Sequence, residues 1–176
     1  GESGALRGVA SIIIEKDFWV CWTLKRLFEL QKGDAPTLVF KGGTCLAKVH
    51  AGFYRLSEDL DFVIPMPYGA SRSERSRRAE GLKGAVSRIP NTWDVFRIVK
   101  PFIGANNSTQ YIAVVGYRSL IDRQEEMIKI EVGLREPLLM PIFLGQAQTL
   151  LLDPVSAKPV VPTMPVQCLS WDEAMA

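Results

Sequence analysis

The chain has 176 residues, 47% hydrophobic and 23% charged, with a formal net charge of +2 at pH 7. This is enough apolar material for one core and a single domain over 1–176, while so small a charge excludes a general pull toward nucleic acid but not a local basic patch. Cys21, Cys45 and Cys168 are odd in number and lack any CxxC spacing, which argues against a disulfide framework or structural zinc and for reduced thiols in a cytoplasmic protein; no apolar run reaches the roughly twenty residues of a membrane span, and the first residues lack a signal-peptide layout.

Residues 15–31 (EKDFWVCWTLKRLFELQ) repeat apolar side chains at Val20, Leu24, Leu27 and Phe28, the spacing of one helix face, and Lys32-Gly33-Asp34 ends the pattern. Glu15, Lys16 and Asp17 at its start read as first-turn charge and capping. Residues 37–40 (TLVF) form a short β-like run that stops at Lys41-Gly42-Gly43, after which TCLAKVHAGF reads as a brief helix carrying the single histidine, His50, as a packed or solvated side chain rather than a catalytic one. Residues 60–64 form a second β-like run, broken by Pro65 and Pro67, in which Asp59 and Asp61 alternate with Leu60 and Phe62.

Between Ser71 and Arg88 lie six basic and two acidic residues, with Leu82, Ala85, Val86 and Ile89 at amphipathic spacing, so a basic surface helix is expected. Three β-like stretches follow at 93–99, 111–117 and 127–134, separated by polar loops that suit hairpins. The proline-rich segment 137–165 has no sustained period and reads as loop and short strand. Ser170-Trp171-Asp172-Glu173 matches the capping box that opens a helix. The sequence stops at Ala176, so it is expected to be the N-terminal part of a longer protein.

The segment 39–64 holds the chemistry. Gly42 and Gly43 let a backbone approach phosphate closely, N–H groups of the following turn suit an anion, and Thr44 adds a hydroxyl or cap. Asp59 and Asp61, two apart on a strand, share a face and can hold one or two divalent ions while Leu60 and Phe62 enter the core. Metal-assisted nucleotidyl transfer needs that arrangement, because two ions clamp the attacking hydroxyl and the leaving pyrophosphate. Glu131 in IKIEV is the candidate third carboxylate, opposite Ile128, Ile130 and Val132 and on the same face as Lys129. Lys41 and Arg55 are cations placed to hold a triphosphate, and Ser57, on the approach to the acid pair, is grouped with them as nucleotide-binding. Each fragment has a plain structural reading as a chain reversal or a solvated turn; their order and spacing together favour chemistry.

KGGTCLAKVHAGFYRLSEDLDFVI (41–64) resembles the first motif of the AbiEii/AbiGii toxin family, nucleotidyltransferases of the DNA polymerase β superfamily. IIEKDFWVCWTLKRLF (13–28) resembles that family's N-terminal helix, and IKIEVGLRE (128–136) is similar to its third-acid strand, with glutamate where aspartate is commonest. The resemblance spans 12–136. It implies an α+β fold with a small mixed sheet flanked by helices and a C-terminal helical region absent from this sequence, which LSWDEAMA approaches. It further implies Mg²⁺, a nucleoside triphosphate substrate, a cognate antitoxin and, for some members, a tRNA acceptor. The rival readings are a non-catalytic nucleotide-binding module of the same fold and a nucleotidyltransferase acting on a small molecule or a protein.

Overall fold

The computed structural model describes residues 11–29, 37–50, 59–92, 94–135 and 137–175. Helix α1 (Ser11–Glu29) is followed by strand β1 (Val39–Lys41), a four-residue helix α2 (Gly42–Cys45) that widens into a π turn over Leu46–His50, and strand β2 (Asp59–Pro65). Helices α3 (Arg72–Ser87) and α4 (Ile89–Thr92) lead to β3 (Phe96–Ala105), β4 (Gln110–Arg118) and β5 (Glu125–Arg135). Strands β6 (Phe143–Ala147) and β7 (Met164–Cys168) and the short helix α5 (Trp171–Met175) complete the described chain.

The seven strands form one mixed sheet in the order β3-β4-β5-β2-β1-β7-β6. β2 runs parallel to β5 and antiparallel to β1, and β7 is parallel to β1. A parallel β2–β5 pair needs a long crossover, which α3, α4 and the β3–β4 hairpin supply. This is the mixed α+β architecture read from the sequence.

Period-2 alternation divides the sheet into two faces. Leu60, Phe62 and Ile64 of β2, Ile128, Ile130 and Val132 of β5, and Tyr111, Ala113 and Val115 of β4 belong to one buried cluster with Trp19, Leu24 and Leu27 of α1 and Ala79, Leu82 and Val86 of α3. Trp19 meets Phe96 edge-on at 5.3 Å, and Phe28 meets Phe62 at 6.1 Å. Both helices thus cover the apolar face, leaving the acids of β2 on the other.

Among the described residues α1 spans Ser11–Glu29, and Ile14, ahead of the charged run 15–17, is also buried. Thr23, fully buried within it, satisfies its hydroxyl by donating to Trp19 O at 2.8 Å. α3 starts at a complete capping box: Ser71 Oγ accepts from Glu74 N, and the Glu74 carboxylate accepts from Ser71 N.

Several sequence expectations change in detail. Glu15, Lys16 and Asp17 are tertiary ties rather than first-turn charge. Glu15 accepts from Ser119 Oγ (2.6 Å) and Leu120 N (2.7 Å), and Lys16 pairs with Glu126 at 2.9 Å. Asp17 is buried, accepting from Lys48 Nζ, Thr149 Oγ1 (2.8 Å) and Leu150 N (2.7 Å). β3 runs on through Pro101 to Ala105, with register shifts between Ile98 and Ile103 that an edge strand tolerates. The Ser170 box is half made: Glu173 N donates to Ser170 Oγ at 3.3 Å, while the Glu173 carboxylate accepts from Leu139 N and Met140 N. His50 packs as expected, Nε2 lying 3.0 Å from Leu169 O and the ring against Phe143.

The three cysteines are free and buried, and burial pushes the Cys21 thiol up to about 11. No helix among the described residues is long and apolar enough to cross a membrane.

Candidate active site

Register brings the predicted residues together. Asp61 lies opposite Lys41 of β1 on one side and opposite Glu131 of β5 on the other; Asp59 lies opposite Lys129. Neighbouring strands are about 4.8 Å apart, so Asp59, Asp61, Glu131, Lys129 and Lys41 occupy one patch of the face not covered by α1 and α3.

The turn after β1 is built around the acid. Gly42 has φ +75°, and a Cβ there would collide with Asp61 Oδ2 and lie 3.0 Å from its Cβ. Only glycine combines that backbone with so close an approach. Thr44 is buried and its hydroxyl donates to Asp59 O at 2.6 Å. It therefore fastens the turn to the start of β2 instead of capping α2, whose N-cap position is Lys41.

Lys129 is the internal cation of the patch. Its ammonium is 2.8 Å from Glu131 Oε2 and 3.8 Å from Asp59 Oδ2. Glu131 Oε1 also accepts from Gln110 Nε2 at 2.6 Å. These bonds, Lys129 first and then Gln110, hold Glu131 below the usual carboxylate range against partial burial, and the Glu131 bond raises Lys129 above the ordinary lysine value. Asp61 moves the other way: burial pushes it up, Lys41 and Lys129 oppose this, and the like charges of Glu131 and Asp59 add to it. Two acids on one patch thus have opposite shifts, Glu131 favoured as the carboxylate by Lys129 and Gln110 and Asp61 disfavoured as one by burial.

Lys129 shares the outer face with Glu131 two residues along β5, so that pair follows from strand period alone, whereas its approach to Asp59 depends on the β2–β5 register. Gln110 gave no signal beyond closing a polar loop. Arg55 and Ser57 lie outside the described residues.

The donor set suits a hard cation. Asp59 and Asp61 present carboxylate oxygens on one face, Asp59 with its side chain 46% exposed, and neither histidine nor cysteine intrudes. Among the described residues no three His, Cys, Asp or Glu side chains converge as a ready-made ligand cluster. The fit is that of an acid pair, with Glu131 alongside and held by Lys129.

Residues 25–176 match the family described as nucleotidyl transferase AbiEii toxin of type IV toxin–antitoxin systems. The chain belongs to this family. AbiEii membership agrees with the resemblance carried by residues 41–64. Two solved structures share the fold. MenT4, a nucleotidyltransferase toxin of Mycobacterium tuberculosis H37Rv, is 22% identical with a TM-score of 0.56, the match covering 90% of this chain and 49% of MenT4. JHP933 of Helicobacter pylori is 18% identical with a TM-score of 0.53, over 92% of this chain and 55% of that one. The chain thus spans about half the length of these relatives. No curated protein matches it.

Proposed function

We propose that the protein transfers a nucleotidyl group from a nucleoside triphosphate to an acceptor hydroxyl, with Asp59 and Asp61 holding divalent metal, Mg²⁺ in the cell. The observation that supports this best is the patch in which the acid pair is flanked by Gly42 on one strand and Glu131 on the next, in register. The family's toxin–antitoxin setting suggests a cognate antitoxin in the same cytoplasm and a tRNA end as the first acceptor to test.

In this reading Lys41 and the Gly42–Gly43 backbone face the triphosphate, so pyrophosphate leaves on the β1 side. Glu131, kept ionised by Lys129, is the third acid and flanks the acceptor on the β5 side. Metal held by Asp59 and Asp61 would polarise the phosphoryl oxygens and stabilise the developing charge. Asp61, whose burial disfavours its carboxylate form, gains most from a cation beside it.

The test is positional. With nucleoside triphosphate labelled at the α-phosphate, label is expected on the acceptor in a Mg²⁺-dependent reaction lost in Asp59→Asn. Label at the γ-phosphate is expected in pyrophosphate. Transfer of γ-label to the acceptor would make the protein a phosphotransferase and overturn the proposal, and the labelled species, RNA, protein or small molecule, names the acceptor.

A further inference from the structure

The face that carries the acids runs into a cavity. Beyond Asp61 the next residue of β2 on that face is Val63, which lines a hollow of about 880 Å³ whose other walls include Lys41, Gly42, Met66 and Leu134. That volume falls in the range of small-molecule sites, roughly 300–1,000 Å³. Its roof is the strap around Leu138 and Leu139. The strap is pinned by Glu173, whose carboxylate accepts from Leu139 N at 3.1 Å and Met140 N at 3.0 Å.

One wall is the start of α3, where Arg75 lines the same space. Its Nε and Nη2 donate to Asn107 O at 3.3 and 3.0 Å, and its Nη1 donates to Ala70 O. A guanidinium carries five N–H groups, so each terminal nitrogen of Arg75 keeps one N–H beyond these bonds. Held by carbonyls, the guanidinium has a fixed orientation at the cavity wall.

We infer that this cavity is the nucleoside pocket of the triphosphate substrate, with the base between the β2 floor and the 137–140 strap and Arg75 at its acceptor-bearing edge. The inference rests on the transferase reading above. In an in-line displacement at the α-phosphorus, the leaving pyrophosphate and the attacking oxygen lie on opposite sides. Pyrophosphate over β1 and acceptor over β5 put that axis across the strands. The nucleoside leaves the phosphorus off the axis, and the row Asp59, Asp61, Val63 leads along the strand into the cavity. Walls that are largely apolar, with the Arg75 donor fixed at one edge beside the polar groups of Lys41, Thr109 and Glu173, suit a planar base, whose faces are apolar and whose edges accept hydrogen bonds.

Ala70→Phe and Leu139→Trp each fill the space from a different wall; Ala70 is half-buried at the edge of the core and Leu139 is 83% exposed. Binding of a nucleoside triphosphate and of inorganic tripolyphosphate, each with Mg²⁺, is measured by calorimetry on the whole protein, alongside melting. The expected result is a loss of at least tenfold in nucleoside triphosphate affinity in both variants, with tripolyphosphate affinity within twofold of wild type and unchanged melting. Retained nucleoside triphosphate affinity in both variants would overturn the pocket and leave the transferase reading standing; if single-stranded RNA binding fell instead, the cavity would belong to the acceptor. Equal loss of both ligands in folded variants also overturns it. Wild-type protein that binds neither ligand would remove the transferase reading and this inference together.

Discussion

Gly42 and Asp61 fit each other so closely that no side chain can stand at position 42: a Cβ there would collide with the Asp61 carboxylate, and the backbone is left-handed at φ +75°. Gly42→Ala is therefore expected to lose about 1–3 kcal/mol of stability from the backbone alone and to displace Asp61, lowering transfer by orders of magnitude. Denaturant unfolding and turnover measured on one preparation check both. An alanine variant of wild-type stability and rate would show that the turn is adaptable and the fit incidental.

Asp61→Asn tests the electrostatics of the patch. The Asp61 pKa is raised in the fold, first by burial, so the native state binds this proton more tightly than the unfolded chain does, and the group's contribution to stability declines as pH rises through its range. Without metal, the asparagine variant is expected to melt above wild type at pH 8, well above the ordinary carboxylate range. The difference should vanish once pH falls below the carboxylate range and the wild-type group is neutral too. Glu131 has the opposite sign: held low by Lys129, its contribution is present above the unfolded glutamate pKa and is lost as pH falls through its folded value. A variant less stable than wild type at pH 8 would contradict the strain assigned to Asp61.

The acid pair was legible because a strand's period of 2 is written in consecutive residues: Asp59 and Asp61 against Leu60 and Phe62. The capping box of α3, with Ser71 and Glu74 three apart, is equally local but was not singled out in the sequence. Gln110 on Glu131 and Lys129 on Asp59 were not legible, since their meeting depends on which strands become neighbours. The same holds for Asp17, which reads as helix-start charge until Lys48, Thr149 and Leu150 fold onto it from 31 to 133 residues away. Strands β6 and β7 were poorly legible because a proline-rich sequence hides period 2, although Pro165 sits within β7.

Asp17 and Lys48 form a buried pair, with side-chain exposures of 4% and 11%, and burial is the chief force opposing the Lys48 charge. Asp17→Ala leaves that ammonium unpaired and two further donors unmet, for an expected loss of roughly 3–5 kcal/mol. Adding Lys48→Met should restore much of it, because the uncompensated charge carries most of the cost. Urea unfolding of the two variants checks this. No recovery in the double variant would shift the cost to the Thr149 and Leu150 bonds.

The basic helix divides by structure. Arg75 is committed to carbonyls, whereas Arg77 and Arg78 are exposed. If α3 meets a polynucleotide backbone, Arg77→Glu with Arg78→Glu should weaken single-stranded RNA binding and reduce the slope of log K against log salt by about 0.7 for each phosphate no longer neutralised. An unchanged slope would make this face a solvated surface only.

If Asp59 and Asp61 act as one metal-holding pair in nucleotidyl transfer, removing either carboxylate must stop the chemistry without unfolding the protein. The direct measurement is the single-turnover rate of α-label transfer at saturating Mg²⁺ in wild type, Asp59→Asn and Asp61→Asn, with melting recorded on the same samples. Each variant is expected to fold as stably as wild type or more so and to lose transfer by at least about a thousandfold, an order typical of removing a principal electrostatic group from a site. Transfer at the wild-type rate in either folded variant would contradict the pairing.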